Sequence, residues 1–436
     1  MMQAAYQTYD SYKDSGVPWL GKIPEDWSLE RAKWIHKYKK YLNRKNECEN
    51  VLSLTLRGVV NNNPDSPEGL VPDDYRTYQL FEKDDLVFKL IDLENYKTSR
   101  VGLVHEDGIM SSAYIRVRPS NNTNPRFLYY FYFFMYLEGV YNKLGAGVRS
   151  TLNQNDLLDL PVPAIDMATQ DRIVAFLDQK TAEIDAAIEK KQRLIELLKE
   201  QKSILINQAV TKGLNPNAPM KDSGIEWIGH IPAHWEVKRL KNVCQIFGRI
   251  GFRGYTASDL VDEGEGAITL SPSNIHENGF STDKVSFLSW KKYHESPEIM
   301  VFENDIIFVK TGSSYGKSAI IDKYDMEMTI NPQLVVLKRF KMSASLLQRS
   351  ISAPYFRIQV ENNVIGGTIP TLGQNTLSAL KVICPHKDDE EKIVAYCKKI
   401  ESDFSPAFNN AEREIEKLKE FKQTLIAHAV TGKIKV

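Results

Sequence analysis

The stretch Asp14-Ser-Gly-Val-Pro-Trp-Leu-Gly-Lys-Ile-Pro-Glu-Asp-Trp27 decides the fold, because it returns 208 residues later as Asp222-Ser-Gly-Ile-Glu-Trp-Ile-Gly-His-Ile-Pro-Ala-His-Trp235. The Trp, Gly and Pro positions recur in step, and self-similarity of this kind marks a chain built from repeated units. From Asp85-Leu-Val-Phe88 against Asp305-Ile-Ile-Phe308 onward the offset is 220, so the second copy carries 12 additional residues between these landmarks. The offset then holds without a gap. Thr151-Leu-Asn-Gln-Asn155 matches Thr371-Leu-Gly-Gln-Asn375, Ile173-Val-Ala175 matches Ile393-Val-Ala395, and Ala209-Val-Thr211 matches Ala429-Val-Thr431. Each half is one globular region followed by one helical segment.

The globular regions hold strand-like, β-branched and aromatic stretches such as Asp85–Ile91, Ala113–Arg118, Asp305–Val309 and Gln333–Leu337, with turn residues between them. Alternating βα units are not evident, so the class is α+β rather than a doubly wound sheet. In the helical segments, steps of four and three residues connect Leu177, Thr181, Ile184, Ile188, Lys191, Ile195, Leu198, Lys202, Leu205 and Ala209. In copy two the same walk gives Cys397, Glu401, Phe404, Phe408, Ala411, Ile415, Leu418, Lys422, Leu425 and Ala429. An apolar seam of this period suits a coiled coil, and two such helices of one chain can bury their stripes on each other. Lys202 and Lys422 share one seam position and are expected to snorkel outward and set register. Pro406 lacks an amide hydrogen and crowds the preceding turn, so the second helix is expected to kink or restart there with Ser405 as cap.

The chain has 436 residues, 42% hydrophobic and 26% charged, with Lys+Arg and Asp+Glu equal at 56 each. This composition excludes disordered and fibrous classes, and the zero net charge excludes a polycationic binder, so any nucleic-acid surface must be a local patch. Four scattered cysteines without a C-x-x-C pair suggest neither a disulfide framework nor a thiolate zinc site, and fit a reducing cytoplasmic compartment. No secretory signal is read at the N-terminus. The longest apolar run, Phe127 to Leu137, is 11 residues, against about 20 needed to span a bilayer, and reads as a buried Tyr/Phe-rich helix.

Two heads on a rigid spacer suit a ligand with two separated determinants. Duplex DNA is one, with sites on one face about 34–36 Å apart. Between Arg31 and Lys45 lie seven cations (Arg31, Lys33, Lys37, Lys39, Lys40, Arg44 and Lys45) plus His36 and no acid. Such a run serves phosphate contact or forms a solvated helix face with Trp34 and Tyr38 inside. Lys310-Thr311-Gly-Ser313-Ser314-Tyr-Gly-Lys317-Ser318 and its counterpart around Lys97, Ser99 and Arg100 join hydroxyls and cations on Gly-permitted loops, which could approach phosphates or base edges. Arg249 and Arg253 on a Gly/Arg loop, Arg149 beside Gly145 and Gly147, and Arg57 complete the candidate DNA contacts.

The residues do not point to catalysis. Gly312-x-x-x-Gly316-Lys317-Ser318 is one residue short of a phosphate-binding P-loop. Asn331-Pro-Gln-Leu334 is similar to the Asn-Pro-Pro-aromatic motif of amino-methyltransferases but lacks its second proline and stacking ring. Gly248, Gly251 and Gly254 do not follow G-x-G-x-x-G, and the histidines form no H-E-x-x-H, so no metal site is expected.

Taken together, the Ser-Gly-x-x-Trp-x-Gly-x-Ile-Pro-x-x-Trp opening of each half, the Leu-x-Gln-x-x-Leu-x-x-Leu-x-Val-Pro-like close at Leu152 to Pro163 and the long charged helices ending in Ala-Val-Thr resemble the specificity (S) subunit of type I restriction-modification systems. The resemblance covers nearly the whole chain and departs from the family at Pro406 and at Lys381-Val-Ile-Cys-Pro385. It implies an α+β pseudo-two-fold internal repeat. Two strand-rich α/β target-recognition domains, residues 1–165 and 216–385, are separated by two long helices, 166–215 and 386–436, forming an antiparallel coiled coil. It further implies that each domain reads one half of a split, asymmetric double-stranded DNA target. The coil would set the spacing and dock two methyltransferase (M) subunits, with Ile184, Ile188, Ile195, Leu198, Leu205, Phe404, Phe408, Ile415, Leu418 and Leu425 as its seam. Catalysis would lie elsewhere: S-adenosylmethionine belongs to the M subunits, ATP and magnesium to the restriction (R) subunits, and no cofactor or membrane to this chain. The rival reading is a bivalent protein-binding adaptor, which would bind without the steep salt dependence of a phosphate ligand.

Overall fold

A computed structural model of the chain describes residues 6–63, 72–93, 99–144, 151–249, 251–276, 279–366 and 369–436. It divides into two compact units, residues 1–192 with 412–436, and residues 193–411. The helices expected to stand apart as spacers at 166–215 and 386–436 are therefore shared out, each unit taking a part of both.

In the first unit, Tyr12–Asp14 pairs antiparallel with Lys22–Pro24, and Ser28–Arg31 with Pro161–Ala164. The central sheet has the order His36–Tyr38, Ile115–Pro119, Leu86–Phe88, Val101–Leu103. The aromatic run forms the helix Pro125–Leu137, capped by Asn124, whose side chain accepts from the amides of Arg126 and Phe127. It buries Phe127, Leu128, Phe131, Tyr132 and Met135 in the core, as its apolar sequence requires.

The second unit repeats this frame. Met220–Asp222 pairs with His230–Pro232, Glu236–Arg239 with Lys381–Cys384, and the central sheet runs Gln245–Gly248, Leu334–Lys338, Ile306–Val309, Ser318–Ile320. The repeat extends to single torsions. Asp84 and Asn304 sit before the matched strands with φ of 69° and 67°, and the following Asp85 and Asp305 accept from the amides of Glu82 and Phe302 at 2.7 and 2.8 Å. The second copy's additional residues fall before Asp305, in a stretch that supplies three strands of a second four-stranded sheet, Leu260–Val261, Ser286–Ser289 and Gly266–Leu270; the fourth, Met328–Ile330, matches Gly108–Met110 of the first unit. The first unit has at the corresponding place a hairpin, Leu52–Thr55 with Gly58–Asn61.

The long helices span Met167–Lys212 and Lys387–Val430. Within the first unit they run antiparallel: Lys422 Nζ meets the Asp185 carboxylate at 2.6 Å, and six residues further along the first helix Lys191 meets Glu414. Ile184, Ile415 and Leu425 are buried there, with Ile188 and Leu418 packed alongside. Within the second unit Ile195, Leu198, Leu205, Phe404 and Phe408 are half-buried, and Lys202 Nζ lies 5.5 Å from the centre of the Phe408 ring. Both seam lysines thus reach across to the other helix.

The expected restart at Pro406 does not occur. The helix continues through it, and Ser405 is no cap: its hydroxyl donates back to the Glu401 carbonyl at 2.7 Å. The proline costs one backbone hydrogen bond, and the helix around it is held by a half-buried Phe404 and Phe408 with rings 6.3 Å apart.

Each helix end closes onto an opening tryptophan. Gly213 (φ 76°) abuts Trp235 in the second unit, and Gly432 (φ 70°) abuts Pro24 and Trp27 in the first. A side chain at either glycine would be both strained and crowded. The end of the second helix buries Leu425, Ile426, Ala429, Val430 and then Ile434 in the first unit's core, while the end of the first buries Ala209 and Val210 in the second unit's. Each core is therefore completed by the helix of the opposite sequence copy.

Candidate nucleic-acid interface

The basic run of the first unit folds as one helical turn, Ala32–Ile35, and then a strand. That corrects the helix-face reading: Trp34 is 72% exposed, whereas His36 is buried with Nε2 2.6 Å from the Tyr132 hydroxyl, and burial pushes its imidazole down to about 3. Arg31 and Lys33 share the Asp159 carboxylate at 3.1 and 3.0 Å. Lys40 donates to the Ser112 carbonyl, and Lys39 lies 4.7 Å from the Tyr41 ring centre. Lys37 is exposed on the strand, opposite Arg118. Arg118 and the buried Arg116 are both held by Glu82 and Asp85; the guanidiniums of Arg118 and then Arg116 hold the Glu82 carboxyl below its usual range. Arg57 is exposed beside Leu56 in the two-residue turn of the hairpin, and Leu56 is 65% exposed.

Three expected contacts turn inward. Arg100 is 1% exposed and donates to the carbonyls of Ile91 and Asp92 at 2.9 and 2.8 Å, and Ser99 is buried beside it. Arg249 is 7% exposed, with its guanidinium on the Ile330 carbonyl, the Thr329 hydroxyl and the Tyr255 ring. The two arginines fasten backbone carbonyls and Ser99 donates to the Val101 carbonyl, so none of the three is turned toward a ligand. Arg253 is partly exposed and engages Glu298 at 3.4 Å. Lys97 and Arg149 lie outside the described residues.

The Lys310–Lys317 loop is a hairpin connection between strands Ile306–Val309 and Ser318–Ile320. Its backbone is fixed on several sides: Gly316 N donates to Val309 O, Gly312 N to Pro370 O, and Thr311 bridges Thr371. Arg357 donates to the Tyr315 carbonyl at 2.7 Å and stacks on its ring. Ser313 is exposed, while Thr311, Ser314 and Lys317 are half-buried. Lys310 is half-buried too, and desolvation holds its ammonium below the usual lysine range. A fixed loop presenting hydroxyls and two ammonium groups suits an anionic, acceptor-rich ligand.

The Asn331-Pro-Gln-Leu334 segment is a turn. Asn331 Oδ1 accepts from Gln333 N at 2.9 Å, and its Nδ2 donates to Gln333 Oε1 at 3.2 Å. Gln333 faces the Lys310 loop, and sequence reasoning missed it as a candidate because it weighed Asn331–Leu334 as a degraded methyltransferase motif and Gln333–Leu337 as a strand, not as a contact. The pairing of Asp305–Val309 with Gln333–Leu337, both read as strands, was the signal that could have found it. Among the described residues no group of three or more His, Cys, Asp or Glu is placed to hold a metal ion, and no helix is long and apolar enough to cross a membrane.

The sequence model described as "Type I restriction modification DNA specificity domain" matches residues 35–199 and 232–417. The type I restriction enzyme MjaVIII specificity subunit of Methanocaldococcus jannaschii is 23% identical over 337 residues, 76% of this chain and 75% of that one. The putative type I restriction enzyme MjaX specificity subunit of the same organism is 23% identical over 442 residues, 96% of each. A solved chain described under "Structural basis underlying complex assembly and conformational transition of the type I R-M system" shares the fold, with a TM-score of 0.64 at 14% identity over 94% of this chain and 98% of that one. With two matches that take in most of its length, one on each copy of the repeated frame, the chain belongs to the type I restriction-modification DNA specificity family.

Proposed function

We propose that the chain is the sequence-reading and scaffolding subunit of a type I restriction-modification complex, each unit contacting one half of a bipartite, asymmetric double-stranded DNA target. The observation that carries this is a shared backbone frame whose loops differ in chemistry: the Arg57 hairpin and Lys37 strand in one unit, the Lys310–Lys317 loop in the other. A common frame with divergent loops lets two similar readers recognise different sequences. The long helices set the half-site spacing and dock two M subunits, through which R subunits join. The chain itself is non-catalytic and cytoplasmic; S-adenosylmethionine serves the M subunits, and ATP with magnesium the R subunits.

Mapping methylated adenines across the host genome, with and without this chain, tests the reading. One split motif should vanish on deletion, and exchanging residues 25–165 for those of a relative should alter one half of it. A methylation pattern indifferent to deletion refutes the proposal.

A further inference from the structure

Strands Ile306–Val309 and Leu334–Lys338 are antiparallel with Val309 opposite Leu334. One residue further the two chains are still joined by a single bond, Lys310 N donating to Gln333 O at 2.9 Å, while Gln333 N turns to Asn331 Oδ1 and Lys310 O accepts from Leu372 N. Residues opposed in this way project to the same face, with Cβ atoms about 4.5–5.5 Å apart. Lys310 and Gln333 therefore stand side by side, two residues on from Phe308 and Val335, which enter the second unit's core.

Their polar groups are committed unequally. Gln333 Oε1 accepts from Asn331. Its Nε2, the nearest heavy atom to the space a side chain on Gly312 would occupy, at 3.7 Å, has no acceptor among the described residues. The Lys310 ammonium is half-buried with no carboxylate beside it among the described residues. Leaving a partly desolvated ammonium without an acceptor is costly, and an arriving acceptor would relieve that cost. Both free groups are donors, so the matching ligand offers two adjacent acceptors. In the major groove, guanine presents O6 and N7 as acceptors on one base, adenine sets a donor beside its N7, cytosine presents a donor, and thymine an acceptor beside a methyl group.

We propose that Lys310 and Gln333 are the base-reading pair of the second unit and that the base they read is a guanine. The inference rests on the DNA-reading function proposed above. The first unit has no such pair at the matched positions. Leu90 keeps the same backbone bond, accepting from Leu152 N at 2.9 Å as Lys310 accepts from Leu372 N at 2.8 Å, but its side chain is apolar and 1% exposed. The residue matched to Gln333 is Ala113, which has no side-chain donor.

The test is the methylated motif in hosts expressing the full chain as wild type, Lys310→Met or Gln333→Met, both close in shape to the native residues. The half-site specified by residues 216–385 should contain a G·C pair. In either variant discrimination at that pair should fall roughly 10- to 100-fold while the other half-site is unchanged. An unchanged motif in both variants, or a wild-type half-site with no G·C pair, overturns the inference and leaves DNA recognition standing. Methylation indifferent to loss of the whole chain overturns recognition itself. Should Lys310→Met abolish methylation, Lys310→Arg decides: a restored original motif supports a donor role, and continued silence from a folded variant refutes it.

Discussion

Leu90 and Lys310 occupy one backbone position in the two units, with the same hydrogen bond to the chain that closes the head, yet one is a core residue and the other a half-buried cation. The acid at the start of the same strands differs in a parallel way. Asp85 is fully buried and grips Arg116 and Arg118, whereas Asp305 meets a single Lys338 at 2.8 Å. The backbone bonds that define the frame are kept, and the side chains hung on it diverge. That division allows one fold to carry two specificities.

The comparison breaks most completely if the borrowed helix end is removed. Ending the chain at residue 411 strips Leu425, Ile426, Val430 and Ile434 from the first unit's core. At about 1.5–3 kcal/mol per buried apolar side chain, this exceeds the roughly 5 kcal/mol at the low end of domain stability. Hydrogen exchange should show amides of residues 6–192 unprotected and those of 216–385 still protected. Next comes Leu90→Lys, which buries an unpaired ammonium and should cost about 4 kcal/mol in urea unfolding, whereas Lys310→Leu should change stability by less than about 1 kcal/mol.

Asp85→Asn should cost about 3 kcal/mol, because Arg116, 4% exposed on its side chain, loses a buried partner. Asp305→Asn should cost less, since Asp305 holds one cation where Asp85 holds two. The pH response sharpens the contrast. The Glu82 carboxyl is held low by Arg118 and Arg116, so its contribution is complete above the unfolded carboxylate range, near ~4.3, and is lost as pH falls through the lower folded value. The difference in unfolding free energy between wild type and Glu82→Gln should shrink between neutral and strongly acidic buffer, by less than about 1 kcal/mol in all because the group is half exposed and screened. Smallest are the seam lysines. Lys422→Leu should lose a salt-sensitive ~0.5 kcal/mol with its Asp185 pair, while Lys202→Leu should show an effect less dependent on salt, its contact being a ring face rather than a carboxylate.

The repeat, the seam and the aromatic helix were legible because each is a local pattern: matched Trp and Pro positions, a 3.5-residue period, an unbroken apolar run. Pro406 misled as to a restart, because a local rule was applied at a position where the helix runs on unbroken from Lys387 to Val430. Arg100 and Arg249 misled for a related reason. A cation beside glycine reads the same whether it faces solvent or clamps carbonyls at a strand end, and only tertiary closure distinguishes the two. Gln333 became visible only through register, which pairs it with a residue 23 positions away.

Residue 435 donates a backbone hydrogen bond to residue 7 at 2.8 Å, next to the Gly432 contact with Trp27. A short peptide joining these neighbours, with fresh ends cut in the 213–219 connection, would yield a permuted polypeptide in which the halves are translated in reverse order and every core is still filled. What the molecule requires is that each head meet the other copy's helix terminus, and the ribosome's sequence of delivery is immaterial to that closure.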